Sequence, residues 1–458
     1  MCGISVVING TYGDVHSMGQ AINRRGNIRT TSAHGDILVS FNQLKITDQS
    51  SLNKQPFVSG KYTVWLNGYI SNYLELAIKY NITLDTTCDG ELLAKLFNKA
   101  GTLCVDELSG FFAIVVYVDG LYGQVLCYTD RYGIKQLYEY RKGKTTFICS
   151  EVKGILAACP EIKLNALAVQ EWKYSLGVMT KDTIYDGIER VNCIPFCTPN
   201  KIDIDYNSAL KQLTKLFNQS IERNRAPLGI KSGVFLSGGI DSGIIAKYIK
   251  PDYSFSMDYL DEKFSEIENI KLNSAGKHYS IICNEQLFEE YKFKTLNALD
   301  DLKAGSCYTN FALTELASKF CTIIYSGAGG DEFFGGYNHR LNKPINDVIK
   351  RTNLLGPVEF TYDGSKFNYD LLFLRAVLVV EDRMAGYHTM ETRYPLLDND
   401  LVDFALSLPD EYLKNKLILK DISGLNEAVL TSSKKGFSNP YCTNEDWVNL
   451  CLNNLNKK

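Results

Sequence analysis

Residues 233–242, with the sequence GVFLSGGIDS, constrain the fold of this chain more than any other segment. Residues 234–236 form an apolar run typical of a buried strand, and the apolar residues after Asp241 recur at helical spacing. We therefore predict a strand, a glycine-rich turn and a helix, the succession found in parallel α/β sheets. The glycines would let backbone N–H groups approach an anion, and the positive end of the helix dipole would point at the same place.

The same turn indicates which phosphates the site would hold. The chain contains no GxxxxGK[ST] sequence, the loop that cradles the β- and γ-phosphates of many nucleotide triphosphatases. SGGIDS instead resembles the pyrophosphate loop of enzymes that cleave ATP between the α- and β-phosphates and leave AMP on a carboxylate. Asp241, at the predicted helix start, could cap the helix or help to hold a phosphate-bound metal ion. A glycine turn that binds nothing is the alternative.

A second glycine-rich turn, SGAGGDE at residues 326–332, follows the apolar strand predicted at 321–325. Strand and helix patterns alternate between the two turns, as in a parallel α/β domain. The strands are expected at 253–257 and 279–283, and the helices at 241–249, 264–276, 285–298 and 311–319. Because ligands of open α/β sheets bind outside the carboxyl ends of the strands, both turns should face one crevice.

The first part of the chain has a different pattern, in which strands dominate and helices are short. The strands are expected at 3–8, 37–46, 62–70, 110–118 and 124–129, and the helices at 72–80 and 91–100. This grouping predicts antiparallel sheets with helices packed outside them, an α+β layered domain. Pro195, Pro199 and Asn200 lie in a segment without periodicity, at about 187–207, that indicates a domain boundary. From about residue 347 the pattern predicts mainly helices.

Composition excludes several classes of protein. The 458 residues would fill two or three domains, and the net charge of −3 gives no basic field for nucleic acid or a membrane surface. No segment approaches the roughly 20 apolar residues of a membrane span, and the first apolar run, at 4–8, is too short for a signal peptide. Thirteen scattered cysteines favour a reducing cytoplasm.

Metal-ligating patterns are weak in this sequence. Cys193 and Cys197 form a CxxxC pair without a second pair, so we do not expect structural zinc. The five histidines show no HxxxH spacing and are interpreted as ordinary surface or core residues.

Cys2 is a candidate nucleophile. Removal of Met1, which a small residue at position 2 permits, would place a thiol and a free α-amine on one residue. An α-amine with a pKa of about 8 can act as a general base near neutral pH and activate the thiol for attack on an amide carbonyl. Asn67 and Gly68 could supply a side-chain amide and a backbone N–H to the oxyanion that forms. An Asn-Gly pair alone is more often a hairpin turn.

Several segments together resemble the glutamine-hydrolysing asparagine synthetase family. They are Met1-Cys-Gly-Ile, Arg25-Gly26, Asn67-Gly68, Cys88-Asp89, SGGIDS at 237–242, residues 326–337 and ETRYPLLD at 391–398. The resemblance covers nearly the whole chain and implies an ATP-dependent carbon–nitrogen ligase with glutamine as amide donor. Ammonia released at Cys2 would pass through an internal tunnel to a carboxylate activated as an acyl-adenylate, with aspartate as the default acceptor and Mg²⁺ assisting.

The resemblance also implies two domains. Residues 1–190 would form a class II glutamine amidotransferase domain, an N-terminal-nucleophile layered sandwich. Residues 205–458 would form the pyrophosphate-loop synthetase domain, an α/β parallel sheet with a helical C-terminal part. The expected partners are small-molecule substrates, without nucleic acid or membrane. A homodimer is considered, and the sequence does not determine the oligomeric state.

The family's functional residues can be carried over one by one. Cys2 would be the nucleophile, Asn67 and Gly68 the oxyanion hole, and Asp89 the group that binds the glutamine amine. The nucleotide and pyrophosphate would contact Leu236, Ser237, Gly238, Gly239, Asp241, Ser242, Met257, Ser326, Gly327 and Lys434. Asp241 and Asp331 would ligate magnesium.

Three positions depart from the family pattern. Gln43 replaces the arginine expected on the glutamine carboxylate, and glutamine cannot supply its charge. Tyr69 replaces a glutamate beside the substrate amine. Ala328 replaces the glutamate of Ser-Gly-Glu-Gly, which the family associates with forming the aspartyl adenylate and with the attack of ammonia.

These departures leave three functions open. The chain could amidate a carboxylate other than aspartate, with another residue acting as the base. It could instead resemble the family's cyclases, which close an activated carboxylate with an internal amine, although those relatives commonly lose the terminal cysteine. The third alternative is a non-catalytic homologue, which the intact SGGIDS, Asp331, Lys434 and Cys2 disfavour.

Overall fold

The structure is a computed structural model. It describes residues 1–46, 48, 50, 52–120, 123–175, 181–194, 196–197, 199–300, 307–337, 366–432 and 441–455. These residues form two compact units: Met1–Gln170, Val178–Phe196 and Ala385–Thr389 in the first, and Glu171–Gly177, Cys197–Met384 and Met390–Lys458 in the second. Within the described ranges, no helix has the length and apolar character needed to cross a bilayer.

The first unit is built on two antiparallel sheets. Its strands are β1 Gly3–Ile8, β2 Ile28–His34, β3 Ile37–Gln43, β4 Phe57–Ser59, β5 Tyr62–Ile70, β6 Gly110–Val118, β7 Gln124–Thr129, β8 Tyr138–Lys142, β9 Thr145–Cys149 and β10 Glu189–Arg190. Among the described residues, one sheet has the order β10-β8-β9-β1-β3-β2 and the other the order β4-β5-β6-β7. Its helices are α1 Tyr12–Ala21, α2 Tyr73–Lys79, α3 Asp89–Ala100, α4 Val152–Ala158 and α5 Ala166–Ser175, whose last residues fall in the second unit, with 3₁₀ turns at Asn23–Arg25 and Thr102–Glu107.

Strand alternation explains the layers of this unit. Successive side chains of a strand point to opposite faces, so each buried strand can contribute to two cores. Trp65 and Val115 lie in the cluster between the two sheets, with Ile4, Val6, Val39 and Phe41. Their neighbours Leu66 and Ile114 face the other way and pack with residues of α3. A third cluster joins the first sheet to α1 and α4. The result is a layered helix–sheet–sheet–helix sandwich.

The second unit contains a parallel sheet. Its strands are β11 Ser232–Phe235, β12 Tyr253–Tyr259, β13 Lys277–Cys283, β14 Ile323–Tyr325 and β15 Glu391–Arg393. Across the described part of the unit their order is β13-β12-β11-β14-β15, and every neighbouring pair is parallel. The residues of β14 are all buried, as expected where both faces of a parallel strand are covered.

The helices of the second unit connect these strands and continue beyond them. They are α6 Tyr206–Asn224, α7 Ile240–Ile249, α8 Ile267–Asn273, α9 Glu285–Leu299, α10 Cys307–Ser318, α11 Gly330–Phe333, α12 Lys366–Tyr387, α13 Asn399–Ser407, α14 Asp410–Leu413, α15 Leu417–Ser423, α16 Glu427–Thr431 and α17 Asn444–Leu455. The last residues of α12 fall in the first unit. Short 3₁₀ turns lie at Pro395–Leu397 and Lys414–Lys416. The predicted fold class, an α+β layered sandwich followed by a parallel α/β sheet with a helical C-terminal part, is confirmed.

Several predicted boundaries were wrong. The strand predicted to end at residue 46 ends at Gln43, and the helix predicted at 264–276 is limited to Ile267–Asn273. Six strands were not predicted: β2, β4, β8, β9, β10 and β15. Strand β2 is an edge strand with the sequence IRTTSAH and has no fully buried residue, so it lacks the hydrophobic alternation on which the prediction relied.

We expect the core of the second unit to be sensitive to a cavity in β14. Ile324 is fully buried between β11 and β15, so Ile324→Ala should lower the free energy of unfolding by about 2–5 kcal/mol. Urea unfolding followed by circular dichroism measures this change. Leu260→Ala is the control, since Leu260 is 74% exposed and its truncation should change stability by less than about 0.5 kcal/mol. Similar shifts in both variants would contradict the proposed core.

Candidate active sites

The backbone of Cys2 is held by a buried ion pair. Arg25 Nε donates a hydrogen bond to the Cys2 carbonyl at 2.8 Å, and Arg25 Nη1 pairs with Glu151 Oε1 at 2.7 Å, both side chains being 2% exposed. The Cys2 thiol accepts a hydrogen bond from the Leu44 N–H at 3.4 Å. Met1 is also buried, and its sulfur contacts Arg25 Nη2 at 3.7 Å. Position 2 is therefore rigid, and its α-amine becomes free only when Met1 is removed.

The Asn67 side chain is a buried amide without a bonding partner. Neither its Oδ1 nor its Nδ2 makes a hydrogen bond within the described structure, and the residue is 0% exposed. A buried polar group without a partner costs about 1–3 kcal/mol, so such groups are uncommon unless a ligand or water completes them. Gly68, next to it, has φ of +135°, and a Cβ there would lie 1.9 Å from the Phe111 carbonyl oxygen. Only glycine fits this position of β5.

The Gln43 side chain is hydrogen bonded within a polar network, and it is not held ready to bind a substrate carboxylate. Its Nε2 donates to Asn53 Oδ1 at 3.0 Å, while Asn53 Nδ2 donates to the Asp48 carbonyl at 2.7 Å. Gln55, in the same loop, holds the backbone of Leu66 through both atoms of its amide. The neutral side chain at position 43 therefore connects the end of β3 to the loop that packs on β5.

Asp89 lies at the first turn of α3, near this network. Its Oδ2 accepts a hydrogen bond from the Ile70 N–H at 2.8 Å, and the Cys88 thiol donates to Asn53 Oδ1 at 3.3 Å. Burial raises the pKa of the Cys88 thiol far above its usual range, which makes this second thiol a poor nucleophile. The structure thus joins Gln43 and Asp89 through Asn53 and Cys88. Tyr69 is buried in β5, between Gly68 and Ile70.

The turn that follows β11 has the form predicted for SGGIDS. The Ser237 N–H donates to Ser242 Oγ at 3.1 Å, and the two hydroxyl oxygens are also 3.1 Å apart. Gly238 has φ of +76°, a conformation that favours glycine. Gly239 precedes α7 and provides no side-chain cap, so the first N–H groups of this helix have no side-chain acceptor at the cap position.

The two glycine-rich turns of the second unit are in van der Waals contact. A Cβ on Gly327 would lie 2.8 Å from the Asp241 carbonyl carbon, and one on Gly330 would lie 2.2 Å from Asp241 Oδ1. Glycine is required at both positions because the backbone after β14 passes directly over the start of α7. Ser326 and Gly327 are thereby placed beside Asp241 and Ser242.

Lys416 bridges Asp241 and Asp331, the two carboxylates that the family resemblance predicts to be metal ligands. Its Nζ lies 2.7 Å from Asp241 Oδ1 and 2.6 Å from Asp331 Oδ1, and the lysine side chain is only 9% exposed. The sequence analysis missed Lys416, which appears in the sequence as one of several lysines between residues 414 and 420. Its backbone adopts a left-handed conformation, with φ of +59°, and this turns the side chain toward the carboxylates.

The two carboxylates fit a magnesium ion held together with phosphates. Because both contact one ammonium group, they converge on one point from which a single cation could be ligated. No group of three or more His, Cys, Asp or Glu side chains suited to a metal occurs in the described parts of the chain. Mg²⁺ commonly binds through one or two carboxylates plus substrate phosphates, and Asp241 with Asp331 matches that pattern.

The remaining predicted nucleotide contacts lie on adjacent strands. The Leu236 N–H donates to the Phe255 carbonyl at 2.8 Å, and the Ser256 hydroxyl donates to the Leu236 carbonyl at 2.7 Å. Met257 follows on β12 and is 8% exposed. Lys434 lies outside the described residues.

The layered sandwich with an early cysteine, followed by a parallel sheet with an SGGIDS turn, defines a chain that joins an N-terminal-nucleophile fold to a pyrophosphate-loop fold. Residues 1–204 match the family model for the glutamine amidotransferase domain, and residues 212–356 and 370–456 match the model for asparagine synthase. The chain belongs to the glutamine-hydrolysing asparagine synthetase family.

The sequence identity between this chain and individual relatives is low. A Methanocaldococcus jannaschii protein, provisionally named asparagine synthetase (glutamine-hydrolysing) 2, is 31% identical over 62% of this chain and 61% of its own length. Asparagine synthetase (glutamine-hydrolysing) 1 of Bacillus subtilis is 26% identical over 82% of this chain and 62% of its own length. The chain thus spans about three fifths of the length of these two relatives.

Among solved structures, glutamine phosphoribosylpyrophosphate amidotransferase from B. subtilis is 12% identical, with a TM-score of 0.32 over 71% of this chain and 82% of that chain. Because this TM-score is low, we assign the fold from the sheet topology of the chain itself.

We expect Lys416→Met to make folding depend on a divalent cation. The variant would leave two little-exposed carboxylates facing each other, which should cost about 2–4 kcal/mol in EDTA. Millimolar Mg²⁺ should restore more stability to the variant than to the wild type. Thermal unfolding with and without Mg²⁺ measures both effects, and Lys271→Met, at a lysine whose side chain is 65% exposed, is the control. Equal responses of Lys416→Met and wild type to Mg²⁺ would contradict a shared cation position.

Proposed function

We propose that the chain is a glutamine-dependent ligase that forms an amide from a carboxylate activated by ATP. The observation that carries this proposal is the buried, unpartnered Asn67 amide, in a family whose chains hydrolyse glutamine and in a chain with cysteine at position 2. The contact between the SGGIDS turn and the turn after β14 supports the ATP-dependent half. Aspartate is the default acceptor.

In the first unit, the free α-amine of Cys2 would take the thiol proton after Met1 is removed. The thiolate would then form a bond with the side-chain carbonyl carbon of glutamine, and the oxyanion would accept hydrogen bonds from the Asn67 amide and the Gly68 N–H. The carbon–nitrogen bond breaks, and ammonia leaves with the proton. Water then hydrolyses the thioester and releases glutamate. Asp89 would bind the ammonium group of glutamine.

In the second unit, an oxygen of the acceptor carboxylate would attack the α-phosphorus of ATP, and pyrophosphate would leave. Ser237, Gly238, Gly239 and Ser242 would hold the phosphates, with Lys434 as a further contact. Asp241 and Asp331 would hold Mg²⁺, which neutralises phosphate charge when bound. Ammonia then forms a bond with the acyl carbon as the carbon–oxygen bond to AMP breaks.

Ala328 favours a second candidate, in which the acceptor is a carboxylate other than aspartate. An alanine cannot take part in proton transfer, so the chemistry that the family assigns to a glutamate at this position must be supplied differently. The SGGIDS turn is intact in the same unit, which supports retained binding of ATP, so the change at position 328 concerns how the acceptor is activated and attacked.

The nitrogen source distinguishes the two half-reactions. Cys2→Ala should abolish AMP formation supported by glutamine but preserve it with ammonium chloride, because the thiol only generates ammonia. AMP and pyrophosphate would be measured with ATP, Mg²⁺ and a panel of carboxylates headed by aspartate. Cys197→Ala, at an exposed cysteine, should behave as wild type. Equal loss with both nitrogen sources, or release of ADP in place of AMP, would refute the proposed sequence of steps.

The Asn67 amide should contribute to catalysis without contributing to stability. Asn67→Ala should lower glutaminase kcat about 100- to 1000-fold, the usual effect of losing one oxyanion donor. Because the amide makes no hydrogen bond in the described structure, thermal stability should be unchanged or slightly higher.

Gln55→Ala is the matched control, since both atoms of that buried amide are bonded to the Leu66 backbone and its loss should destabilise the protein. Steady-state glutamate release and thermal unfolding would be compared for both variants. An Asn67→Ala protein with wild-type kcat would exclude the oxyanion role.

A further inference from the structure

Glu381, on α12, is hydrogen bonded to the second glycine-rich turn. The Ser326 hydroxyl donates to Glu381 Oε1 at 3.1 Å, and Ser326 Oγ accepts the Ala328 N–H at 3.2 Å. Two hydrogen bonds, through Ser326, therefore connect the Glu381 carboxyl to the backbone of Ala328, the residue that replaces the family's glutamate. Glutamate at position 381 is not part of any motif noted in the sequence.

The Glu381 carboxyl is buried but incompletely bonded. Its Oε2 has no well-aligned hydrogen bond in the described structure, although the Tyr394 hydroxyl is close enough to lower the pKa of the group, and burial outweighs this and raises that pKa to about 7. The groups that face it are the hydroxyls of Ser326 and Tyr394, with Asp382 and Arg383 next on the same helix. Arg383 lies 3.2 Å from Asp300, so its charge is directed to another carboxylate.

Other buried carboxylates of the second unit have an evident structural purpose. Glu391 pairs with Arg393 at 2.9 Å, and Asp398 pairs with Arg223 at 3.0 Å while capping α13. Glu381 forms no ion pair with any described cation. A buried carboxyl without a cationic partner destabilises the fold, so packing alone does not explain it.

We propose that Glu381 is the proton acceptor of the synthetase site and acts through the Ser326 hydroxyl, replacing the carboxyl group absent at position 328. This inference rests on the proposed ligase function. In the step concerned, the nitrogen of ammonia forms a bond with the acyl carbon, and the bond between that carbon and the AMP oxygen breaks. The proton that nitrogen loses passes to Ser326 Oγ as the hydroxyl proton moves to Glu381, which later releases it to solvent.

This role suits the electrostatics of the group. A general base works best when its pKa lies near the working pH, and burial has moved Glu381 from the usual acidic range to near neutrality. Only the ionised carboxylate can accept the proton, so the rate should rise with pH through about 7. Ser326 is connected to the carboxyl on one side and to the Ala328 N–H on the other, so its hydroxyl is oriented toward Glu381.

The test compares wild type with Glu381→Gln, Glu381→Gln/Ala328→Glu and Glu315→Gln. Glutamine at 381 preserves an acceptor for Ser326 but cannot take a proton, and Ala328 is partly exposed, so a glutamate there can be accommodated. Glu315→Gln is the matched control, because Glu315 also accepts a hydrogen bond from a hydroxyl group, that of Tyr291 at 2.6 Å. AMP formation would be measured with ATP, Mg²⁺ and the carboxylate panel, at constant un-ionised ammonia, from about pH 6 to about pH 9.

Glu381→Gln should lower kcat at least about 100-fold, leave the KM for ATP unchanged and abolish the rise in rate near pH 7. The double variant Glu381→Gln/Ala328→Glu should have a kcat at least about 10-fold higher than that of Glu381→Gln. Glu315→Gln should have the kcat and pH profile of the wild type. The inference is overturned if Glu381→Gln retains the wild-type kcat and pH profile. It is also overturned if the variant is slower with an unchanged pH profile or is not rescued by Ala328→Glu.

Absence of AMP formation by wild type with every carboxylate, while ATP still binds, would instead overturn the proposed function. The two failures are therefore distinguishable.

Discussion

The candidate active site of the second unit depends on the close approach of two backbone turns. The turn after β14 lies so near Asp241 that a single methyl group on Gly327 or Gly330 would overlap it. This contact places Ser326 beside the start of α7 and brings Asp331 to the same ammonium group as Asp241. Residues that are 90 positions apart in the chain thereby form one polar surface at the carboxyl ends of parallel strands, where α/β sheets bind their ligands.

Charge balance explains why that surface can exist before a ligand arrives. Two little-exposed carboxylates repel each other, and the Lys416 ammonium reduces their combined charge from −2 to −1. A polyphosphate would enter together with a divalent cation. That cation could then replace the Lys416 ammonium as the positive partner of the two carboxylates. Lysine suits this role because its ammonium is a compact point charge on a flexible chain.

The sequence predicted those parts of the molecule that follow from local pattern. The fold class could be predicted from the alternation in β5 and β6 and from the apolar runs before the two glycine turns. The SGGIDS sequence was sufficient to predict a turn with uncapped N–H groups. Edge strand β2 lacks this signal. Lys416 and Glu381 acquire their neighbours only through tertiary contacts across 50 residues or more, and no local spacing distinguishes them from surface charges.

The residues that depart from the family pattern make specific contacts in this chain. Gln43 anchors the Asn53 loop, and the Ala328 N–H donates to a serine whose hydroxyl is bonded to Glu381. Asn67 and Glu381 both carry buried atoms without a well-aligned hydrogen bond, one in each unit, and each destabilises the folded protein when no substrate is bound. An apolar side chain of similar volume would be more stable at both positions, so folding alone does not explain either polar group.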